Sequence, residues 1–378
     1  MNLRGRRIIF VLFNLELGGA ERQALILARH LAEQERADVE VWGFNKTGPV
    51  AQICEQLGLT CRLVPFPFDN LQDLDRLTSI FGEARPDVLL PYTFVPNVIC
   101  GLIWQRAGAG ACVWNQRDEG RMPFVADWGC SAARRTPMFM ANSERGARFL
   151  SDELAVDPLK VRIIKNGIEL ALPQDDRVVW RDRLMIRDDC FVACMVANLH
   201  ARKDHETLLR AWRRVVNELS DRNAVLVLAG RHDGAYESLA ALTRELNLDE
   251  QVRFADQVSD VSGLLKASDL GVFSSMFEGC PNGVLESMAA GLAVAGTDID
   301  EIRSVLGPDG SQFLAPPKDD VALAAAILKL ANDADLRVTM GTANQKRVEE
   351  NYTASRMCEQ TVTVLEEMQV SGARFDVH

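Results

Sequence analysis

The sequence predicts two doubly wound α/β domains, each built on a parallel sheet. Three observations predict this fold class. The 378-residue chain is too long for one ordinary hydrophobic core and suits two. Short apolar runs alternate with helical patterns almost throughout, which implies parallel strands covered on both faces by helices. The alternation pauses near residues 166–190 and then restarts. The expected domains are therefore 1–170 and 171–355, facing each other across a cleft. A last helical segment, 356–378, is expected to pack back on the first domain.

Taken in order, Arg7 to Phe13 is an apolar strand, closed by a Gly-Gly turn. Ala24, Leu25, Leu27, Ala28 and Leu31 then recur at helical spacing. Val39 to Phe44, Cys61 to Pro65, Asp87 to Pro91, Cys112 to Asn115 and Met138 to Asn142 continue the strands. Asn166-Gly167 punctuates the series, and the polar run Leu172 to Asp176 follows. The second series holds a strand from Phe191 to Ala197, a helix from Asp204 to Val216 and a strand from Ala224 to Ala229. Strands at Val252 to Phe254, Leu270 to Phe273 and Leu292 to Ala295 follow, and the chain is helical from Asp319 onward. Ligands of such sheets sit at the carboxyl ends of the strands.

Composition narrows the function. The chain is 47% hydrophobic and 25% charged, as in a folded globular protein. Its net charge of -11 falls entirely after residue 170, because the first 170 residues hold 20 basic and 20 acidic side chains. An acidic half argues against nucleic-acid binding, which needs Lys and Arg to displace counterions. The nine cysteines are scattered, with no CxxC pair and no Cys/His zinc spacing, and read as free thiols in a reducing compartment. The basic start, Met1 to Arg7, leads into a short apolar run that ends at Asn14 and reads as a buried strand rather than a signal peptide. No apolar stretch is long enough to span a bilayer. A cytoplasmic protein is expected, with peripheral contact at the inner face of the plasma membrane.

Three segments carry candidate chemistry. Gly18-Gly19 lies between the first strand and first helix, where glycines admit a phosphate to free N–H groups. A tight strand-to-helix link explains it equally well, and it is not the dinucleotide fingerprint GxGxxG. In Asn198 to Glu206, Lys203 precedes a helix that Asp204 could cap, and a cation there could neutralise a diphosphate leaving group. Alone, Lys203 reads as a solvated surface lysine, and Arg202 beside it as exposed. The third segment, Ser274 to Leu292, follows a buried strand. Cys280-Pro281-Asn282-Gly283 is expected to be irregular, with a helix starting near Gly283 and its free N–H groups turned to ligand. Glu278 in the loop and Glu286 in the first helical turn suit sugar hydroxyls, one carboxylate for a ribose and one for a transferred sugar. The competing reading makes Glu286 a partner of the helix dipole and Glu278 a surface acid.

With these motifs in place, the sequence resembles the GT-B retaining glycosyltransferases of family 4 over nearly its whole length. The ordered matches are Gly18-Gly19-Ala20-Glu21, Asn142-Ser143-Glu144, Lys165-Asn166-Gly167-Ile168, Ala197 to Leu208 with Lys203, Leu228-Ala229-Gly230, and Glu278 with Glu286 in an E-x7-E pattern. The resemblance implies a nucleotide-sugar donor and no required metal or other cofactor. Gly19, with Gly18, would face the donor phosphates. Lys203, flanked by Asn198 and Arg202, would bind the diphosphate. Glu286 would hold the ribose. Glu278, Cys280, Pro281, Asn282, Gly283 and Val284 would surround the donor hexose, through backbone N–H groups except at Pro281. The base would lie against main chain at Arg253 or Phe254.

Two departures stand out. Asn198 occupies a position where the family often has an arginine. Trp114-Asn115-Gln116-Arg117-Asp118-Glu119 lacks the histidine often found after the fifth strand. Asp118 or Gln116 would take its place, with Asp118 joining Lys203 and Glu278 as a catalytic candidate. Arg117 would meet an anionic acceptor or a donor phosphate. The sequence shows no carboxylate pair suited to a double displacement, so front-face attack is expected, with the departing diphosphate taking the acceptor proton. The acceptor is expected to be a glycan or lipid-linked glycan. Arg121, Arg134 and Arg135 near Phe124, Trp128, Met138 and Phe139 suit a membrane face, or are a core with solvated arginines. The alternatives are a nucleotide-sugar 2-epimerase of the same fold, which needs no acceptor, and a non-catalytic partner subunit.

Overall fold

The computed structural model describes residues 3–66, 73–118, 120, 126–219 and 223–370. They form two compact units, Met1–Gly167 with Ala354–His378, and Ile168–Thr353.

The first unit runs β1 (Arg7–Leu12), α1 (Gly19–Glu33), β2 (Asp38–Phe44), α2 (Pro49–Gln56), β3 (Thr60–Val64), α3 (Asp73–Ala84), β4 (Val88–Pro91), α4 (Phe94–Ile103), β5 (Ala111–Gln116), α5 (Ala126–Arg135), β6 (Met138–Ala141), α6 (Glu144–Asp152) and β7 (Val161–Ile163). Its seven strands are parallel in the order β3-β2-β1-β4-β5-β6-β7. The apolar run of β1 works on both faces. Ile8, Phe10 and Leu12 enter one core cluster, and Ile9 and Val11 enter another. That is the period-two placement of a strand with helices on both sides. Gln23 of α1 closes the unit, because its amide donates to the Gly167 carbonyl at 3.0 Å and accepts from the Gly167 N–H at 2.9 Å.

The second unit runs α7 (Arg177–Arg183), β8 (Phe191–Val196), α8 (His205–Glu218), β9 (Ala224–Ala229), α9 (Tyr236–Glu245), β10 (Val252–Phe254), α10 (Val261–Ala267), β11 (Leu270–Phe273), α11 (Asn282–Ala289), β12 (Val294–Thr297), α12 (Asp300–Ser311), β13 (Leu314–Ala315), α13 (Asp320–Asn332) and α14 (Ala334–Asn351). Its six strands are parallel in the order β10-β9-β8-β11-β12-β13. Strand order therefore reverses at β8, with β9 on one side and β11 on the other. That reversal opens a crevice at the carboxyl ends of β8 and β11, the usual ligand position in an open α/β sheet. The chain then leaves this unit, and α15 (Ala354–Val370) joins the first. Met357, Cys358, Val364 and Leu365 of α15 share a core cluster with Leu25, Leu27 and Leu31 of α1.

Several local expectations are corrected. The pause at 166–190 contains the helix α7, anchored by buried Trp180 and Arg181. Arg181 reads as polar yet is buried, because its guanidinium donates to the carbonyls of Arg187, Asp188, Cys190 and Ala267 and pairs with Asp269. The strand expected at Leu292–Ala295 lies at Val294–Thr297, displaced by a turn in which Gly291 takes a φ of 80°. Asn282 and Gly283 are helical rather than irregular. Pro281 holds the position just before α11, where its missing N–H removes no helical hydrogen bond.

Candidate functional site

In the second unit, the sequence-predicted residues converge on the carboxyl ends of β8 and β11. After β8 the chain makes a short 3-10 turn, Ala201–Lys203, and Asp204 takes a left-handed φ of 48° before α8 begins. Asp204 stands at the N-cap position but makes no cap bond to the backbone. Its carboxylate instead accepts from the Thr207 hydroxyl at 2.8 Å. Burial holds its pKa above the ordinary carboxylate value.

The loops after β8 and β11 are tied together. The Met276 N–H donates to the Arg202 carbonyl at 2.9 Å, and Ser274 Oγ donates to the Lys203 carbonyl at 2.9 Å. Thr297 Oγ1 at the end of β12 donates to the Ser275 carbonyl at 2.6 Å. This clamp presents Lys203 to Glu278: Lys203 Nζ lies 2.5 Å from Glu278 Oε1, in a half-buried ion pair. Arg202 points outward and is exposed. Neither Ser274 nor the direct pairing of Lys203 with Glu278 was expected from the sequence. Loop-to-loop contacts leave no periodic signal, and the two members are 75 residues apart.

Glycines bring the backbone in. A Cβ on Gly283 would collide with the Val196 carbonyl at the end of β8 and come within 2.9 Å of the Phe273 ring. Gly283 is thus the residue that lets the N-terminus of α11, with its first N–H groups, reach β8. A Cβ on Gly230 would likewise strike the Ala197 carbonyl and lie 2.8 Å from the Asn198 nitrogen. Cys280, Pro281 and Val284 are buried around this start, and Asn282 is half-buried. Glu286 is buried, in the second turn of α11 rather than the first.

On the β9 side, Asn198 is part of a polar set. Its amide donates to Asp233 at 3.0 Å, and Asp233 is bonded bidentately by Arg231 at 2.6 and 3.1 Å. Arg231 holds the Asp233 carboxyl below its usual pKa. An arginine therefore stands near the place where Asn198 leaves none, contributed by the loop after the next strand. At the end of β10, Phe254 packs edge-on to Tyr236, and His232 stacks on Tyr236 at 4.0 Å and meets Asp256 at 2.8 Å. The Arg253 guanidinium is turned to the carbonyls of Leu184, Asp249, Glu250 and Val252, and its main chain pairs with β9. His205, one residue beyond the lysine turn, is buried, and neither of its ring nitrogens has a hydrogen-bond partner among the described residues. Burial first, and the Lys203 charge second, pull its pKa down to about 3.

In the first unit, Gly18 precedes α1 in extended conformation and Gly19 is its first residue. The Glu21 carboxylate folds over this start, with Oε2 2.7 Å from where a Cβ on Gly18 would stand. Asp118 accepts from the Gln116 amide at 2.6 Å and from the Gly120 N–H at 2.8 Å, so it shapes the turn after β5. Of the two readings of the segment around Arg134 and Arg135, the core one fits the described residues. Phe139 is core, and Trp128 and Met138 pack half-buried against core clusters, while Arg134 and Arg135 are exposed. Arg121 and Phe124 lie outside the described residues. Among the described residues, no helix is long and apolar enough to cross a membrane, and no three His, Cys, Asp or Glu side chains form a metal cluster.

Comparison with known proteins agrees with this layout. Residues 17–172 match the model of Glycosyltransferase Family 4, and residues 190–333 match that of Glycosyl transferases group 1. The Escherichia coli UDP-Gal:alpha-D-GlcNAc-diphosphoundecaprenol alpha-1,3-galactosyltransferase is 23% identical over 291 residues, 74% of this chain and 75% of that protein. A D-inositol 3-phosphate glycosyltransferase of Kineococcus radiotolerans is 28% identical over 228 residues, 56% of this chain and 52% of its own length. The chain thus spans only about half of that second relative. The solved structure of Anabaena Alr3699/HepE in complex with UDP superposes with a TM-score of 0.81 at 18% identity, covering 96% of this chain and 100% of that one. The fold is shared at that level.

Proposed function

We propose, for a chain that belongs to the glycosyltransferases of group 1, family 4, and has the GT-B fold, that it moves a hexose-type sugar from a UDP- or GDP-sugar to a glycan or lipid-linked glycan acceptor with retention of configuration. The observation that carries this reading is the Lys203–Glu278 pair, held at the β8/β11 reversal beside the N-terminus of α11. A cation and a helix start placed together can stabilise the charge that develops on a departing diphosphate, without reorganising at the moment of reaction. Glu286, buried one turn into the same helix, is the ribose partner in this reading. The base lies at the end of β10, where Tyr236 and His232 extend the apolar surface of Phe254.

The acceptor attacks from the face the leaving group departs. The leaving diphosphate oxygen takes the acceptor proton, and Lys203 offsets the remaining charge. This route needs neither a covalent intermediate nor a metal ion. The acceptor in the name of the Escherichia coli relative, a diphosphoundecaprenol-linked sugar, supports a lipid-linked acceptor and work at the inner face of a bacterial membrane in surface glycan synthesis.

A thermal-shift panel of UDP, GDP, ADP and their sugars tests the donor. A ligand at a hundred times its Kd stabilises by about 2.7 kcal/mol. Lys203→Ala and Glu286→Ala should each lower sugar transfer by roughly 10²- to 10³-fold with the circular dichroism spectrum unchanged. Normal turnover in both variants would remove the site assignment. Transfer abolished by a chelator and restored by a divalent ion would remove the metal-free route.

A further inference from the structure

A second polar cluster lies at the carboxyl edge of the first unit's sheet. Tyr92, Arg117 and Asn142 each follow directly on a strand, β4, β5 and β6 respectively, and Asn166 follows β7 by three residues. These strands are consecutive in the sheet, so the four side chains stand in a row along one edge. All are buried, with Arg117 8% exposed. The Arg117 guanidinium donates to Asn115 Oδ1 at 3.1 Å and to Asn166 Oδ1 at 3.3 Å, and it lies 4.9 Å from the centre of the Tyr92 ring. Among the described residues no carboxylate pairs with it. Three buried polar atoms of the row have no hydrogen-bond partner among the described residues: Arg117 Nε, the Tyr92 hydroxyl and Asn142 Oδ1.

This arrangement is costly by itself. Among the described residues this buried guanidinium meets amide oxygens and an aromatic face but no counter-charge. Each unpartnered buried atom adds a desolvation penalty that nothing in the described chain offsets. A row of such atoms at the edge where α/β sheets take ligands is a site waiting for its ligand. Two of the three atoms are donors, on a cation and a phenol, and the third is an acceptor. That set matches an oxyanion with a hydroxyl beside it.

We infer that Arg117, with Tyr92 and Asn142, binds an oxyanion, a phosphate or a carboxylate, carried by the sugar acceptor. The word acceptor rests on the glycosyltransfer reading above; the oxyanion site rests on this geometry alone.

The test uses the full chain, first alone and then with its donor position saturated by UDP. Melting temperature and calorimetric binding are followed against inorganic phosphate, then acetate, with chloride at equal ionic strength as the control. Phosphate or acetate should bind where chloride does not, and the better of the two names the oxyanion. Arg117→Gln should weaken that binding at least tenfold. Tyr92→Phe, which removes only a hydroxyl, should weaken it by about threefold and keeps the test open if Arg117→Gln does not fold. Unchanged binding in whichever variants fold would overturn the site, as would the absence of any anion response in the wild-type chain. Loss of the response on adding UDP would overturn the acceptor assignment and give the site to the donor's own phosphates. Turnover of UDP-glucose and GDP-mannose is scored separately, so an inactive chain that still binds phosphate through Arg117 breaks the transferase reading and leaves this one standing.

Discussion

The two units hold their key cations differently. At the β8/β11 edge, Lys203 is half-buried and meets a carboxylate, Glu278, at 2.5 Å. At the β5 edge, Arg117 is more deeply buried and, among the described residues, meets only amide oxygens and the Tyr92 ring. A paired cation costs little to keep in place, and in the proposed reaction it would exchange its partner for a donor phosphate as the carboxylate turns to hydroxyls. An unpaired one is destabilising until its ligand arrives, and arginine suits that task because it stays charged where a buried lysine would lose its proton. The difference teaches that one sheet edge holds its cation ready with its own counter-charge, while the other, under the inference above, relies on an anion from outside.

Three changes would break or sharpen this contrast. Gly283→Ala has the largest expected effect. Its Cβ has no room against the Val196 carbonyl, so the start of α11 must move off β8. A displacement of that kind costs about a hundredfold in turnover, and overpacking costs roughly 1–3 kcal/mol in stability. Wild-type kinetics and melting in this variant would show that α11 does not need its contact with β8.

Glu278→Gln comes next, because it gives Lys203 an amide partner like those of Arg117. Turnover should fall by about ten- to a hundredfold, in line with the loss of one charged hydrogen bond of roughly 1.5–3 kcal/mol. Steady-state kinetics would show the drop in kcat. A variant as active as the parent would mean that the pair's charge is irrelevant to the site.

The smallest effect concerns His205, buried and neutral beside Lys203. Its folded pKa of about 3 lies below the ordinary 6.5, so the unfolded chain takes up a proton that the folded chain refuses. Stability from this group is complete above pH 6.5 and is lost as pH falls from there toward 3, at up to about 1.4 kcal/mol per pH unit. Asp204, with its raised pKa, works in the opposite sense, since the folded state then holds its proton more tightly than the unfolded chain. The readout is therefore the difference between the wild type and His205→Leu in urea unfolding across pH 5 to 7. The variant should lose the acid-side slope, and identical slopes would show that His205 is not held neutral.

Much of the architecture was legible in the residues. Runs such as Ile8 to Leu12 and Phe191 to Val196 are apolar at every position because both faces of their strands are covered, and that pattern separates them from amphipathic helices. The ends of elements were less legible. Val294–Thr297 was displaced from its expected position by a glycine turn, and Arg181 and α7 were hidden in a stretch that reads as polar. The candidate site was legible as residue types, Lys203, Glu278, Glu286 and the glycines near them. Their pairing was not, nor was the role of Arg231 beside Asn198.

By itself the sequence determined the two parallel sheets, the order of their elements and the family's motifs, because burial period and turn residues are local properties of the chain. Only the tertiary structure decided which charges are neutralised. Lys203 and Glu278 are 75 residues apart, and Arg117 and Asn166 are 49 apart. Whether two such groups meet depends on strand order and loop clamps. The energy of a charge depends on what surrounds it, and no stretch of sequence contains its own surroundings.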